Sequence, residues 1–164
     1  MSTTNTLGLS VSPGDLTGPA AFIAWNWFFA YVVLAPRTPK QIYGIDHNNN
    51  PRQDVNKYGS EAVRSGKMTQ AQLELVQRVE AASANSTEGY ILFTASVLFA
   101  LVAGVPRDTI MSLCTVYSAA RVVYGAAYVF IARHPWTLIR STVWWVANVS
   151  CLYLLWTGAT VQRM

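Results

Sequence analysis

Long uncharged apolar runs alternate with short polar connections along this chain. From Leu16 to Pro36 the run LTGPAAFIAWNWFFAYVVLAP holds no charged residue. At about 1.5 Å per helical residue it is long enough to cross roughly 30 Å of hydrocarbon. Gly89 to Pro106 is a second such run, Ile110 to Ala132 a third that only Arg121 interrupts, and Ser141 to Val161 a fourth. The pattern predicts an all-α membrane protein, a single domain over 1–164 with four spans at about 16–36, 72–103, 109–132 and 138–161. The first run has no basic flank before it and three further spans after it, so it reads as a retained helix rather than a cleaved signal.

The one long polar stretch, about 37–68, reads as a loop with short structured pieces. It carries Arg37, Lys40, Arg52, Lys57, Arg64 and Lys67, and Arg133 and Arg140 flank the later loop on the same side of a four-span chain. The positive-inside bias puts both loops in the cytosol. Thr69 and Gln72 have capping-box spacing, so helix two is expected to start near Thr69. Read on to Ala103 it is longer than a bilayer needs, and its first turns must project from the membrane or cross a polar bundle interior.

Composition sharpens this picture. Apolar residues make up 52% and charged ones 12% of the chain, against about a quarter charged in an ordinary soluble domain. Disorder is excluded, and a net charge of +4 on so apolar a chain argues against nucleic acid and for membrane lipid as the partner. Cys114 and Cys151 lie in apolar runs and read as buried thiols. No zinc pattern, phosphate loop or nucleophile elbow is present, and no metal is expected.

Polar groups inside spans are the candidates for chemistry, because facing lipid costs an ionised side chain several kcal/mol. In helix two, Arg78, Asn85 and Glu88 fall within an arc of roughly 80° at about 100° per residue. In helix three, Tyr117, Arg121, Tyr124 and Tyr128 share a stripe. Two readings stay open: a structural Arg121–Glu88 salt bridge with belt tyrosines, or a polar cavity. In the segment ARHPWTLIRS, Arg133, His134, Arg140 and Ser141 surround the start of helix four, where free amides favour an anion. Trp136, Trp144 and Trp145 pack there or wall an apolar groove.

These residues resemble the membrane-associated proteins in eicosanoid and glutathione metabolism, the MAPEG family. The resemblance is carried by RVEAASANSTEGYILF, Arg78 to Phe93, and by ARVVYGAAYV, Ala120 to Val129. It implies a left-handed four-helix bundle, a homotrimer in the endoplasmic reticulum, and glutathione held between protomers near the cytosolic face. By position it implies that Arg37, Arg78, Asn85, Glu88, Arg121, Tyr124 and Tyr128 bind glutathione. Arg140 and Ser141, with Tyr128 and the rival Arg133, would carry catalysis by stabilising a thiolate. The sequence departs from the family pattern at Ala81, where conjugating members have an arginine, and at Ser83 and Gly89.

The function expected is therefore a glutathione-dependent transferase or isomerase acting on a lipophilic small-molecule electrophile. One alternative is a glutathione-independent isomerase or cyclase that uses Glu88 and a tyrosine as acid and base. Another is a non-catalytic lipid-binding or scaffold protein.

Overall fold

The computed structural model describes residues 16–132 and 135–161. Among these, the elements are α1 (Thr17–Phe28), a π-helical turn (Phe29–Val33), α2 (Arg37–Ile42), α3 (Asp54–Arg64), α4 (Gln70–Ala103), α5 (Arg107–Phe130) and α6 (Leu138–Val161). No strand occurs among the described residues. Four helical stretches, Thr17–Ile42, Gln70–Ala103, Arg107–Phe130 and Leu138–Val161, are long and apolar enough to cross a bilayer.

The first span is not one straight helix to Pro36. Its backbone widens at the π turn, where the Leu34 amide reaches back to the Phe29 carbonyl at 3.0 Å. Pro36 lacks the N–H that would continue the ladder, and the chain restarts as α2 with Pro39 in its first turn. This elbow carries Arg37 and Lys40.

The predicted loop 37–68 is more ordered than its polarity suggests. Helices α2 and α3 occupy much of it, and Ile45, Val55, Ala62 and Met68 form a small core with Leu73 and Val76 of α4. Asp54, at the start of α3 where the helix dipole favours an anion, is buried and accepts a hydrogen bond from the His47 amide at 2.9 Å. The excess length of α4 is thereby explained. At about 1.5 Å per residue its 34 residues run roughly 50 Å, and the first turns lie in this cap, where Leu73 and Val76 are buried under it.

The α4 helix starts as its sequence predicts, with Thr69 and Gln72 closing a capping box. It ends at Gly104, whose φ of 76° lets the Val105 amide turn back to the Ala100 carbonyl. The three long helices α4, α5 and α6 pack on one another around Phe93, Val97, Ile110, Cys114, Tyr117, Cys151 and Leu154. Ala100, Ala147, Ser150 and Gly158 line their contacts, and such small residues let membrane helices approach closely where no hydrophobic effect drives them together. Across the bundle from α1, Asn26 donates to the Ser118 hydroxyl at 2.7 Å, which satisfies a buried amide. Cys114 and Cys151 are buried free thiols, as expected.

Candidate functional site

Helices α4 and α5 meet through a buried arginine. Arg121 is 3% exposed and donates from Nη2 to the Ser86 hydroxyl at 2.9 Å and from Nη1 to Oδ1 of Asn85 at 3.3 Å. Its guanidinium lies 4.6 Å from the ring centre of Tyr124. Room for it comes from Gly89, where a Cβ would stand 3.2 Å from the Tyr117 hydroxyl and 3.5 Å from the Arg121 guanidinium carbon. A cation so deep in a span is tolerated because Asn85 and Ser86 offer it oxygens and Tyr124 a π face.

A cavity of 330 Å³ opens beside this contact, lined by Asn85, Tyr124, Tyr128, Arg140 and Ser141 with Trp144 and Trp145 on its apolar wall. Arg140 is held rigidly. Its Nε donates to the Ala127 carbonyl at 3.4 Å, its Nη2 to the Ile131 carbonyl, and its guanidinium sits 4.2 Å from the Tyr128 ring centre. The Ala127 carbonyl also accepts the Ile131 amide at 3.1 Å, and both carbonyls lie at the C-terminal end of α5, where the helix dipole favours a cation. Among the described residues Nη1 and the second Nη2 proton have no partner, so the guanidinium can still hold an anion in the cavity. The Trp144 and Trp145 rings meet edge to face at 5.0 Å.

A second cavity of 730 Å³ lies on another side of α4, between that helix and the α1–α2 elbow. Arg37, Lys40, Arg52, Glu80, Thr87 and Glu88 border it. Lys40 is 2% exposed and pairs with Glu80 while also donating to the Pro51 carbonyl. Arg37 is bound by Asp46 at 3.0 Å and by the Asn48 side chain at 2.9 Å. Burial acts to raise the Asp46 carboxyl, but hydrogen bonds from Arg37 and Gln41 and the charges of Arg37 and Lys40 prevail and hold it below its ordinary range.

Comparison with known protein families matches the MAPEG family over residues 17–160. The chain belongs to that family. No curated protein and no solved structure matches it. It is an integral membrane protein of a family tied to eicosanoid and glutathione metabolism, whose members generally use glutathione.

In this MAPEG protein the expected site residues fall into two groups. Asn85, Tyr124, Tyr128, Arg140 and Ser141 come together around the smaller cavity, and Arg37 and Glu88 around the larger. The expected single face of α4 is divided, because its arc spans two neighbours: Asn85 opens to one cavity and Glu88 to the other. Arg78 lines neither and donates to the Tyr128 carbonyl at 3.1 Å, so it ties α4 to the end of α5. The alternative Arg121–Glu88 salt bridge does not form, since Arg121 is turned to Asn85 and Ser86 while Glu88 faces away.

The α5 stripe is likewise split. Tyr117 stacks on Phe93 at 4.2 Å and belongs to the core, as does Arg121, while Tyr124 and Tyr128 alone reach the cavity. Arg133 and His134 lie outside the described residues. Trp136 borders a separate surface pocket with Phe130 and is not part of the tryptophan wall. Sequence reasoning missed Arg52 and the Lys40–Glu80 pair. The spacing of Glu80, Ala84, Thr87 and Glu88, all on the second cavity, carries the signal of that face. Nothing in the local sequence ties Lys40 to a carboxylate forty positions onward.

Proposed function

We propose that this protein is a glutathione-dependent transferase or isomerase acting on a lipophilic electrophile. The observation that carries the reading is the convergence of Arg140, Ser141, Tyr124 and Tyr128 on one small cavity with an indole wall. Its groups are hydrogen-bond donors and one fixed cation, which suits a ligand of anionic oxygens and an ionised sulfur. Bound glutathione would supply a thiol, whose ionised form is the reactive nucleophile. Arg140, propped on the carbonyls of α5, holds negative charge at that point, and the Ser141 hydroxyl donates a second hydrogen bond. Lowering a thiol pKa from about 8.5 by roughly two units makes the anion the main form at neutral pH. Trp144 and Trp145 keep water from one side of the cavity and give an apolar substrate a surface.

Glutathione has two carboxylates and one ammonium, and neither cavity alone offers partners for all of them. Asn85 and Glu88 serve different cavities of one protomer. A homotrimer, the general assembly of the family, would let the smaller cavity of one copy close against the larger cavity of the next. The loop charges support a site on the cytosolic face, and the endoplasmic reticulum is the membrane that the family resemblance implies. Acid–base work by Glu88 and a tyrosine without a thiol is less well supported, because within one protomer Glu88 stands apart from Tyr124 and Tyr128.

The test is calorimetric titration of the detergent-solubilised protein with glutathione, followed by ultraviolet absorbance of the thiolate. Binding with a thiolate signal at neutral pH is expected, with Arg140→Leu removing the signal and Arg133→Leu keeping it. No binding by the wild-type protein would overturn the proposal.

A further inference from the structure

The C-terminal end of α5 is gripped by arginines from two different helices. Arg140 of α6 takes the Ala127 carbonyl through Nε and the Ile131 carbonyl through Nη2. Arg78 of α4 takes the carbonyl next along the chain from Ala127, donating from Nε to Tyr128 at 3.1 Å. Among the described residues no backbone amide reaches that carbonyl, so Arg78 alone satisfies it. Tyr128 also presents its ring to Arg140, whose guanidinium sits 4.2 Å from the ring centre, and to the Tyr124 ring at 4.9 Å. The backbone of Tyr128 is thus fastened to α4 while its ring meets the cation of α6. A carbonyl left open at a helix end is an acceptor in search of a donor. Arg140, already on the neighbouring carbonyl and against the Tyr128 ring, has N–H groups to give it.

We propose that Arg78 is a positioning residue for Arg140: by occupying the Tyr128 carbonyl it removes the acceptor that competes with a bound thiolate for the free N–H groups of Arg140. The assignment rests on the glutathione reading above and adds to it a residue that borders neither cavity. It takes the place of the cofactor-binding role that the family pattern implies for Arg78, because the hydrogen bond of that side chain runs to the protein's own backbone. The bond is made by Nε, not by the terminal nitrogens. What matters at position 78 is therefore one N–H at that distance from the backbone, and the charge behind it is incidental. Glutamine separates the two, since its Nε2 stands as many bonds from Cα as the Nε of arginine and is a neutral donor. Methionine keeps the length and has no donor.

The test follows the thiolate of bound glutathione by ultraviolet absorbance as pH is raised, on the full chain in detergent at saturating glutathione. Calorimetry gives the affinity at a pH below the thiolate midpoint of every variant, where all of them bind the thiol form. Arg78→Met should raise the midpoint by about one pH unit or more, which is tenfold less thiolate at a fixed pH on the rising part of the curve. Its affinity at the acid pH should match that of the wild type. Arg78→Gln should restore the wild-type midpoint, and Arg78→Leu stands in for the methionine variant if that one does not fold. A wild-type midpoint in Arg78→Met, whether or not its melting temperature falls, would reduce Arg78 to a structural tie and leave the glutathione reading standing. A midpoint raised equally by glutamine and methionine would make the effect one of charge and overturn the positioning role. Loss of affinity in both variants with no shift of midpoint would put Arg78 on the ligand and overturn it too. If the wild-type protein forms no thiolate, the glutathione reading and this assignment fall together.

Discussion

The guanidinium of Arg121 donates to Oδ1 of Asn85, and this decides which end of the Asn85 amide the smaller cavity receives. A guanidinium has no acceptor, so only the carbonyl oxygen of Asn85 can face it. The amide nitrogen is left as the donor toward the cavity. Asn85→Asp keeps the oxygen for Arg121 but replaces the cavity donor by an acceptor. We expect an unchanged or raised melting temperature together with a tenfold or greater loss of glutathione affinity, read by thermal unfolding and calorimetry on the same sample. Equal affinity would show that the amide does not face the ligand.

Arg121→Leu removes both hydrogen bonds at once and leaves Ser86 and Asn85 without partners. Ser86 is buried, and orphaning such a group costs about 1–3 kcal/mol, while Asn85 opens onto the cavity and loses less. The variant should unfold at clearly lower temperature in detergent, and adding Ser86→Ala and Asn85→Leu should recover part of the loss.

Gly89 is the space that Arg121 and Tyr117 occupy. Alanine is ordinarily the better helix former by about 1 kcal/mol, but here its methyl meets a phenol pinned against Phe93. Gly89→Ala is expected to give no gain in stability, and Gly89→Leu to cost about 1–3 kcal/mol through overpacking. Thermal melts of the two variants beside the wild type measure this.

Glu80→Gln leaves Lys40 buried without its counter-charge, a change of the kind that costs about 3–5 kcal/mol. Replacing both residues by methionine removes the unpaired charge and should recover most of the melting temperature. A double variant no better than the single would show that the pair carries little.

Asp46 gives the loop an acid limit. Its folded pKa lies below the ordinary 3.8, so its grip on Arg37 is complete above that value and is lost as pH falls through the lower folded value. Hydrogen-exchange protection factors of residues 43–53, taken relative to the intrinsic rate at each pH, should hold down to about pH 4 and fall below it. Asp46→Asn should show low protection factors that do not change over that range.

Much of the architecture lies in patterns local to the chain. Runs without charge fix the four spans, because length against bilayer thickness needs no partner to evaluate. Thr69 and Gln72 fix where α4 begins, since a capping box closes within one turn. The stripe of Tyr124 and Tyr128 and the Arg140–Ser141 pair in the first turn of α6 are visible for the same reason. What the tertiary structure alone decided is how the polar groups are apportioned. Arg78, Asn85 and Glu88 share an arc on a helical wheel, but a wheel does not say where one neighbouring helix stops and the next begins. Arg121 chose Asn85 and Ser86 over Glu88 because Gly89 lets it sink onto α4, a matter of volume between two helices. Lys40 found Glu80 because the chain turns at Pro36, and pairing across such a distance depends on the path of the backbone in three dimensions.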